Sequence, residues 1–416
     1  MAKFSPPRGM RDFYPEDMKL RNHIFDAWRL ASTASGFEQY DACVVESLEL
    51  LQRKAGEEIV NQIYAFEDKS GRQLALRPEM PPTLARMIVA RQGALQFPVK
   101  WFTIAQCFRY ERMTRGRKRE HYQWNLDIID ENSVSAEAEI IYTAINALRL
   151  MNIPDNAYRV RISNRTLLSE LLSSLGIAQE FHPAIFMALD KKGKLPREEI
   201  EKLMLAENLD AEACSAAFDL MDITSLEDAA EIAGDDSPAV ASLRKLFELL
   251  NDYGVAEQAV FDISVIRGLA YYTGIVFEAF DTKGEFRAIF GGGRYDGLLS
   301  AIGGKPASAV GMGFGDVVIG EIIEELKIEA TSQNNLIAIG YMTDDERTMA
   351  TRLASKLRAE GKSVTLQTRP SRAKAFFSFA SARAAKAVYI GPDDRNSGKA
   401  FIKDLNTREE EMITLT

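Results

Sequence analysis

The stretch that decides the fold reads Phe108-Arg109-Tyr110-Glu111-Arg112-Met113-Thr114-Arg115-Gly116-Arg117-Lys118-Arg119. It carries six cationic side chains in twelve residues, whereas the whole chain of 416 residues has a formal net charge of −9. Cations concentrated against an acidic background indicate a polyanion site, because phosphate binding depends on the local field rather than on the total charge. A solvated surface hairpin is the alternative interpretation of the same charge pattern.

The segments on both sides of this basic stretch are typical of β-strands. Residues 101–111 and 121–130 are rich in aromatic and β-branched side chains, so the basic stretch becomes the tip of a hairpin. Alternate residues of a strand share a face. One face of the second strand therefore carries His121, Gln123, Asn125 and Asp127, and one face of the first carries Arg109 and Glu111. We expect a guanidinium, carboxylates and an amide to line one pocket beneath the basic loop, residues 112–120.

The composition indicates a globular chain of two or three domains, with 46% hydrophobic and 27% charged residues. No run approaches the roughly 18 apolar residues of a membrane span, and the N-terminus lacks a signal-peptide core, so we expect a cytoplasmic protein without membrane attachment. Three cysteines and three histidines match neither a disulfide framework nor a zinc spacing. We predict no metal site, and buried thiols.

The order of the patterns predicts an α+β chain. Helical spacing over residues 15–35 precedes strand-like segments, and leucine- and alanine-rich runs over about 164–255 predict a helical insertion. Strand signals then return, and the glycine-rich stretch 291–297 precedes an apolar helix. Spacing alone leaves open whether this stretch is only a tight turn. Beyond a small polar segment at 329–335, strands and helices alternate, which predicts a mainly parallel α/β domain over 336–416.

Four further strings carry a family resemblance. They are Arg8-Gly9-Met10-Arg11-Asp12-Phe13, Leu76-Arg77-Pro78-Glu79-Met80-Pro81-Pro82-Thr83, Ile266-Arg267-Gly268-Leu269-Ala270-Tyr271-Tyr272 and Gly292-Gly293-Arg294-Tyr295-Asp296-Gly297. Together with the hairpin, and in the same order, they resemble the histidyl-tRNA synthetase family, a class II aminoacyl-tRNA synthetase. The resemblance implies a catalytic domain over 1–325, built on an antiparallel sheet flanked by helices, and an anticodon-binding-like α/β domain over 336–416.

The resemblance also implies a reaction, in which ATP activates histidine as an adenylate and the histidyl group passes to tRNA(His). A carboxylate that attacks the α-phosphate is already anionic, so the step requires cations rather than a general base. By family position, the catalytic residues are Arg109 and Arg267. The family further implies Mg²⁺ as the counter-ion of ATP, and a homodimer. The first helix, with Phe25 and Trp28, would contribute either to the dimer interface or to the core.

The remaining site residues divide between the two small substrates. Family position assigns histidine to Glu79, Pro81, Gln123, Asp127, Tyr271 and Tyr272, and assigns ATP to Arg109, Glu111, Arg112, Arg117, His121 and Arg267. Glu79 would receive the ammonium group, Asp127 with Tyr272 would hold the imidazole, and His121 would stack on adenine. Taken singly, each residue also has a structural role available, as a core tyrosine, a turn cap or a surface ion pair.

Three positions depart from the family pattern. Pro81 replaces a threonine that contacts the amino acid, Ala270 replaces an aspartate, and Val318 replaces the arginine that meets the distal ATP phosphates. Arg115 and Arg117 are the candidates to supply the missing cation.

These departures keep two other interpretations open. The first is a paralogue that retains the fold and regulates another enzyme, as the regulatory subunit of ATP phosphoribosyltransferase does. The second is a plain RNA-binding module, against which the coherent amino-acid pocket argues.

Overall fold

The computed structural model describes residues 4–53, 62–192, 195–234, 236–266, 272–330 and 335–415. The chain divides into two compact units, Met1–Ala330 and Thr331–Thr416.

The strands of the first unit form two sheets. They are β1 Glu38–Gln39, β2 Val45–Ser47, β3 Tyr64–Glu67, β4 Gln73–Leu76, β5 Val99–Phe108, β6 Glu120–Ile129, β7 Tyr158–Asn164, β8 Ala259–Phe261, β9 Ile275–Asp281, β10 Phe290–Arg294 and β11 Ala309–Gly315. The large sheet has the order β1-β5-β6-β11-β10-β9-β7-β8, and the small one the order β2-β4-β3. The large sheet is antiparallel except at its two edges, where β1 pairs with β5 and β8 pairs with β7 in parallel.

The helices of the first unit flank the large sheet or follow one another between β7 and β8. They are α1 Asp17–Ala34, α2 Leu48–Gln52, α3 Pro81–Arg91, α4 Ser135–Leu150, α5 Arg165–Ser174, α6 His182–Leu189, α7 Arg197–Ala206, α8 Ala211–Asp219, α9 Leu226–Ala233, α10 Pro238–Asp252, α11 Leu298–Ala301 and α12 Asp316–Glu325. No helix in the described part of the chain combines the length and the apolar character that crossing a bilayer requires.

Side-chain caps explain where the helices of the leucine-rich stretch begin. Asn164, Asp210, Ser225 and Ser237 each accept a backbone N–H of the following helix, which satisfies a donor that has no partner inside the helix. The leucines at helical spacing are buried against one another and against the sheet. The region is therefore helical, as its periodicity predicts.

The hairpin of β5 and β6 forms the second and third strands of the large sheet. Its register runs from Val99 opposite Ile129 to Phe108 opposite Glu120, close to the predicted strands. Because β5 ends at Phe108, Arg109 and Glu111 lie beyond the strand, and the expectation that they share a strand face is wrong.

One face of this hairpin packs against the first helix. Trp28 and Trp124 are fully buried and their ring centroids lie 5.9 Å apart, while Phe25 is 7% exposed in the same core. Within a single chain, Phe25 and Trp28 are therefore core residues rather than interface residues. The opposite face of β6 carries Gln123, Asn125 and Asp127.

Most of the glycine-rich stretch is a strand, and the turn that its spacing allows is limited to Asp296 and Gly297. Gly291, Gly292 and Gly293 lie within β10, between β9 and β11. A Cβ at Gly292 would lie 2.2 Å from the carbonyl oxygen of Gly311 and 2.7 Å from Cζ of Phe277. Glycine is required here by close backbone approach rather than by turn geometry.

The second unit combines parallel and antiparallel strands. It contains β12 Ile337–Tyr341, α13 Arg347–Ala359, β13 Val364–Leu366, α14 Ala373–Ser381, β14 Lys386–Ile390, α15 Pro392–Ser397, β15 Lys399–Asp404 and β16 Glu410–Thr414. Strands β13, β12 and β14 are parallel, whereas β15 and β16 extend the sheet as an antiparallel hairpin. The alternation of strand and helix patterns in the sequence predicts the parallel strands. No pattern in the sequence predicts the final hairpin of β15 and β16.

The cysteines divide by exposure. Cys107 and Cys214 are buried, whereas Cys43 is exposed, so the expectation of buried thiols is wrong for Cys43.

We expect Gly292→Ala to destabilise the first unit by about 2 kcal/mol or more, because the added methyl overlaps a backbone carbonyl that the sheet holds in place. Gly297→Ala is the matched control, since its Cβ would meet nothing within 4 Å and its φ of −83° suits alanine. Urea unfolding measures both variants. Equal stability of the two proteins would contradict this explanation of the strand glycines.

Candidate active site

Asp127 lies near the C-terminal end of β6 and is only 2% exposed. Its Oδ1 accepts a hydrogen bond from the hydroxyl of Tyr295 at 2.5 Å, whereas Oδ2 has no partner among the described residues. Burial raises the pKa of the Asp127 carboxyl to about 7, although the hydrogen bond from Tyr295 opposes the shift. The carboxyl therefore offers one oxygen, within a desolvated site, to a ligand that carries a polar hydrogen.

Glycines of the neighbouring strand make room for the polar face of β6. Gly311 lies opposite Asp127, and a Cβ there would be 2.2 Å from Oδ1 of Asp127. A Cβ at Gly313 would be 2.8 Å from Nε2 of Gln123. The side chains of Asp127 and Gln123 thus lie over β11. The glycines at alternate positions of β11 are the feature of the sequence that could have predicted this contact.

Glu79 and Arg109 meet at the end of the hairpin. Glu79 is 4% exposed, and its Oε2 lies 3.9 Å from Nη2 of Arg109. The Nε of Arg109 donates to the carbonyl of Pro78 at 3.0 Å, and its backbone N–H donates to Arg119 at 2.9 Å. These contacts bring a candidate ammonium ligand and a candidate phosphate ligand together on connected segments.

Carboxylates neutralise much of the basic loop. Arg117 pairs with Glu111 at 2.5 Å, and Arg115 pairs with Glu325 on α12 at 2.9 Å. Arg112 is exposed and has no ion pair or hydrogen bond to any residue that the structure describes. Within the loop, Arg115 and Arg117 therefore have carboxylate partners, and Arg112 has none among the described residues.

His121 follows directly after the basic loop, beside its arginines. Burial, together with the charges of Arg109, Arg11 and Arg117, lowers the pKa of His121 to about 3. The imidazole is therefore neutral near pH 7. A neutral ring can stack on an aromatic base without adding a further charge.

Sequence reasoning gave no role to Arg11, which connects three segments. Its Nε donates to Glu120 at 2.7 Å, and its Nη2 lies 2.9 Å from Oδ2 of Asp316, the first residue of α12. The other oxygen of Asp316 accepts the backbone N–H of Tyr122 at 2.9 Å. Arg11 thus fixes the N-terminal segment to β6 and α12, and the string Arg11-Asp12 was its only sequence signal.

The sequence analysis also gave no role to Tyr40, because this residue lies in none of the motifs. Its hydroxyl is buried and has no hydrogen-bond partner in the described ranges. Burial, followed by the charge of Asp127, raises the pKa of Tyr40 well above its usual value. Tyr40 therefore adds a phenol to the surroundings of Asp127.

The remaining residues predicted for histidine fall in different situations. Tyr272 is buried, in the same apolar cluster as Tyr295 and Tyr40. Pro81 is half-buried and begins α3, a position where the missing backbone N–H of proline costs nothing. Arg267 and Tyr271, predicted as a catalytic and a histidine-binding residue, lie outside the described residues.

A largely antiparallel sheet flanked by helices, with a buried carboxyl on one face and a basic hairpin loop, is the architecture expected of a class II aminoacyl-tRNA synthetase. The family model described as histidyl-tRNA synthetase matches residues 9–315. A chloroplastic/mitochondrial histidine--tRNA ligase of Arabidopsis thaliana is 41% identical over 99% of this chain and 85% of its own length. The histidine--tRNA ligase of Opitutus terrae is 37% identical over 99% of this chain and 96% of its own. The chain belongs to the histidyl-tRNA synthetase family.

Solved structures have the same fold. Histidyl-tRNA synthetase from Nostoc sp. PCC 7120 superposes with a TM-score of 0.82 at 22% identity, over 100% of this chain and 97% of that one. A Bacillus halodurans protein described as an ATP phosphoribosyltransferase regulatory subunit/histidyl-tRNA synthetase gives a TM-score of 0.76 at 25% identity, over 94% and 99%. Because the curated relatives at higher identity are named as ligases, the regulatory interpretation is the weaker fit.

We expect the stability of the ligand-free protein to fall as the pH rises from about 4 to about 7, because Asp127 keeps a proton in the fold that the unfolded chain has lost. Asp127→Asn removes this titration while it retains an acceptor for Tyr295. Its stability relative to the wild type should therefore rise by about 2 to 3 kcal/mol between pH 5 and pH 8.

Urea unfolding at the two pH values measures the difference, with Asp236→Asn on the surface as the control. A difference between Asp127→Asn and wild type that does not change with pH would contradict a protonated Asp127.

Proposed function

We propose that the protein is a histidine--tRNA ligase, an aminoacyl-tRNA ligase that activates histidine with ATP and transfers it to tRNA(His). Membership of the family supports this function. The observation that carries it within the structure is the buried carboxyl of Asp127, whose Oδ2 has no partner in the described part of the chain. An imidazole N–H is a donor of the size and polarity that this oxygen requires.

The first step joins histidine to the α-phosphate. The histidine carboxylate attacks phosphorus, the bond from the α-phosphorus to the bridging oxygen breaks, and pyrophosphate leaves with the electron pair. No proton moves, so the protein contributes orientation and positive charge. Arg109 supplies that charge beside Glu79, and we assign Arg267 to the opposite side of the phosphate by its family position.

Histidine selection depends on buried hydrogen-bonding groups. We assign the ammonium group to Glu79, with Gln123 close by, and the imidazole to Asp127 and Tyr272, with Tyr271 and Pro81 as pocket walls by family position. Groups of this kind reject analogues that lack the matching donor by about 10⁴-fold, because the site would be left with unpaired polar atoms.

ATP is assigned to the hairpin. His121 stacks on adenine, and Glu111, Arg112 and Arg117 contact the nucleotide and its outer phosphates. The Arg117–Glu111 ion pair would have to open or rotate when phosphates arrive, and Glu111, whose side chain is 9% exposed, would then lose this partner. Mg²⁺ accompanies the triphosphate as its counter-ion.

The second step transfers the histidyl group to the terminal ribose of tRNA(His). We assign the anticodon to the second unit, residues 336–416, and the catalytic steps to residues 1–325. We further propose a homodimer that acts in the cytoplasm. One relative is a chloroplastic/mitochondrial enzyme. Imaging of the tagged protein in cells should therefore distinguish the cytoplasm from an organelle.

Histidine-dependent exchange of pyrophosphate into ATP, measured without tRNA, tests the function and the role of Arg109. Arg109→Ala should lower the exchange rate by at least about 100-fold, because one charge that stabilises the transition state is lost. Arg383→Ala in the second unit should leave exchange unchanged. A normal rate in Arg109→Ala would contradict the assignment. Wild-type protein that binds histidine without exchange would instead support the regulatory interpretation.

Glu79→Gln tests the amino-acid pocket separately from the nucleotide site. The variant keeps the shape of the side chain and removes the charge that faces the ammonium group, so KM for histidine should rise by about 10- to 100-fold with KM for ATP unchanged. Exchange kinetics with each substrate varied in turn measure both constants. Glu67→Gln, on an exposed strand of the small sheet, is the control. Parallel changes for both substrates would remove Glu79 from the histidine pocket.

A further inference from the structure

An arginine outside the basic loop reaches the point where that loop crosses α12. Gly116 in the loop has a φ of +72°, and its backbone N–H donates to Glu321 on α12 at 3.0 Å. A Cβ placed at Gly116 would lie 3.2 Å from Cγ2 of Val318 and 3.8 Å from Cδ of Arg287. The loop, the first turn of α12 and the side chain of Arg287 therefore meet at one place.

Val318 gives this junction no charge of its own. The side chain is apolar, 7% exposed and part of the main core, beside Ile319 and Ile322 of the same helix. Any cation at the junction must come from another segment.

The arginines of the loop that lie nearest are already paired. Arg115 pairs with Glu325 at 2.9 Å and with Glu321 at 3.7 Å, and Arg117 pairs with Glu111 at 2.5 Å. A phosphate that recruited either guanidinium would have to break an existing ion pair. Neither arginine is a ready replacement for the cation that Val318 lacks.

Arg287 is in a different situation. It lies in the segment that joins β9 to β10, it is exposed, and it has no ion pair or hydrogen bond to any described residue. Its planar guanidinium can present two parallel N–H groups to a phosphate, at no cost in broken contacts. An unpaired arginine that touches the tip of a polyanion-binding loop is positioned for the far end of the polyanion.

We propose that Arg287 binds the outer phosphates of ATP and the pyrophosphate that leaves, an inference that rests on the proposed ligase function. As the bond from the α-phosphorus to its bridging oxygen breaks, negative charge accumulates on the departing pyrophosphate. Arg287 stabilises that charge from the side of α12, opposite to the attacking carboxylate. It does so from the segment between β9 and β10, which no nucleotide motif in the sequence marks.

Steady-state exchange kinetics of Arg287→Ala test the proposal. KM for ATP and KM for pyrophosphate should both rise by about 10- to 100-fold, which is the effect of removing one charge-assisted contact, while KM for histidine stays within about twofold. The melting temperature should not change, because the side chain has no partner to lose among the described residues.

Lys283→Ala is the matched control. Lys283 lies on the same segment and carries the same charge, but it already pairs with Glu325 at 3.6 Å. The variant should exchange pyrophosphate like the wild type. If Lys283→Ala and Arg287→Ala raised KM for ATP and KM for pyrophosphate equally, the loss of one positive charge would explain both results. The proposal would then be overturned.

Calorimetric titration with inorganic pyrophosphate and Mg²⁺ gives a readout that does not need catalysis. We expect Arg287→Ala to bind pyrophosphate about 10-fold or more weakly than wild type and Lys283→Ala to bind it equally well. Unchanged binding in Arg287→Ala would overturn this inference and leave the ligase function standing. Absence of exchange in the wild type would instead contradict the ligase function, and pyrophosphate binding would still test Arg287.

Discussion

The burial of the Asp127 carboxyl on β6, beside the glycines of β11, is the constraint on which the rest of the structure depends. A carboxyl with one oxygen unpaired in an apolar environment lowers the stability of the fold, and burial accordingly raises its pKa to about 7. The strand beside it must carry glycine at the facing position, because a Cβ at Gly311 would overlap the carboxyl. Under the proposed function the same burial would make Asp127 selective, since a donor that satisfies Oδ2 removes the penalty.

Ion pairs hold the loop of the hairpin and the start of β6 in place. Arg11, which joins Glu120 and Asp316, fixes the start of β6 with mostly buried contacts, whereas Arg115 holds the loop through the partly exposed carboxylates of Glu321 and Glu325. Removing one partner from a buried pair is costly, and exchanging a surface pair is not. The start of β6 is therefore held more firmly than the part of the loop around Arg115.

Local patterns predicted the parts of the fold that depend on neighbouring residues. Alternation identified β5 and β6, and helical spacing identified α1, which spans Asp17–Ala34. The glycines of β10 were ambiguous, because their requirement comes from the facing strand and from Phe277, which are distant in sequence. The hairpin of β15 and β16 also escaped prediction, since its side-chain alternation is weak and most of it is exposed.

The roles of the candidate site residues stay predictions, and the structure shows where the side chains lie. The motifs identified Glu79, Arg109 and Asp127, and the structure places them on the sheet and the segments next to it. Tyr40 and Arg287 could not be found, because Tyr40 approaches Asp127, and Arg287 approaches Gly116, only through tertiary packing. Val318 departs from the family pattern. The sequence does not show what lies beside it, whereas the structure places Gly116 and Arg287 there.

The most direct test of this account is a crystal structure of the protein with histidine and a non-hydrolysable ATP analogue. The account predicts that an imidazole nitrogen donates to Oδ2 of Asp127 and that the α-phosphate lies against Arg109. An imidazole bound elsewhere, with Asp127 still lacking a ligand contact, would contradict it.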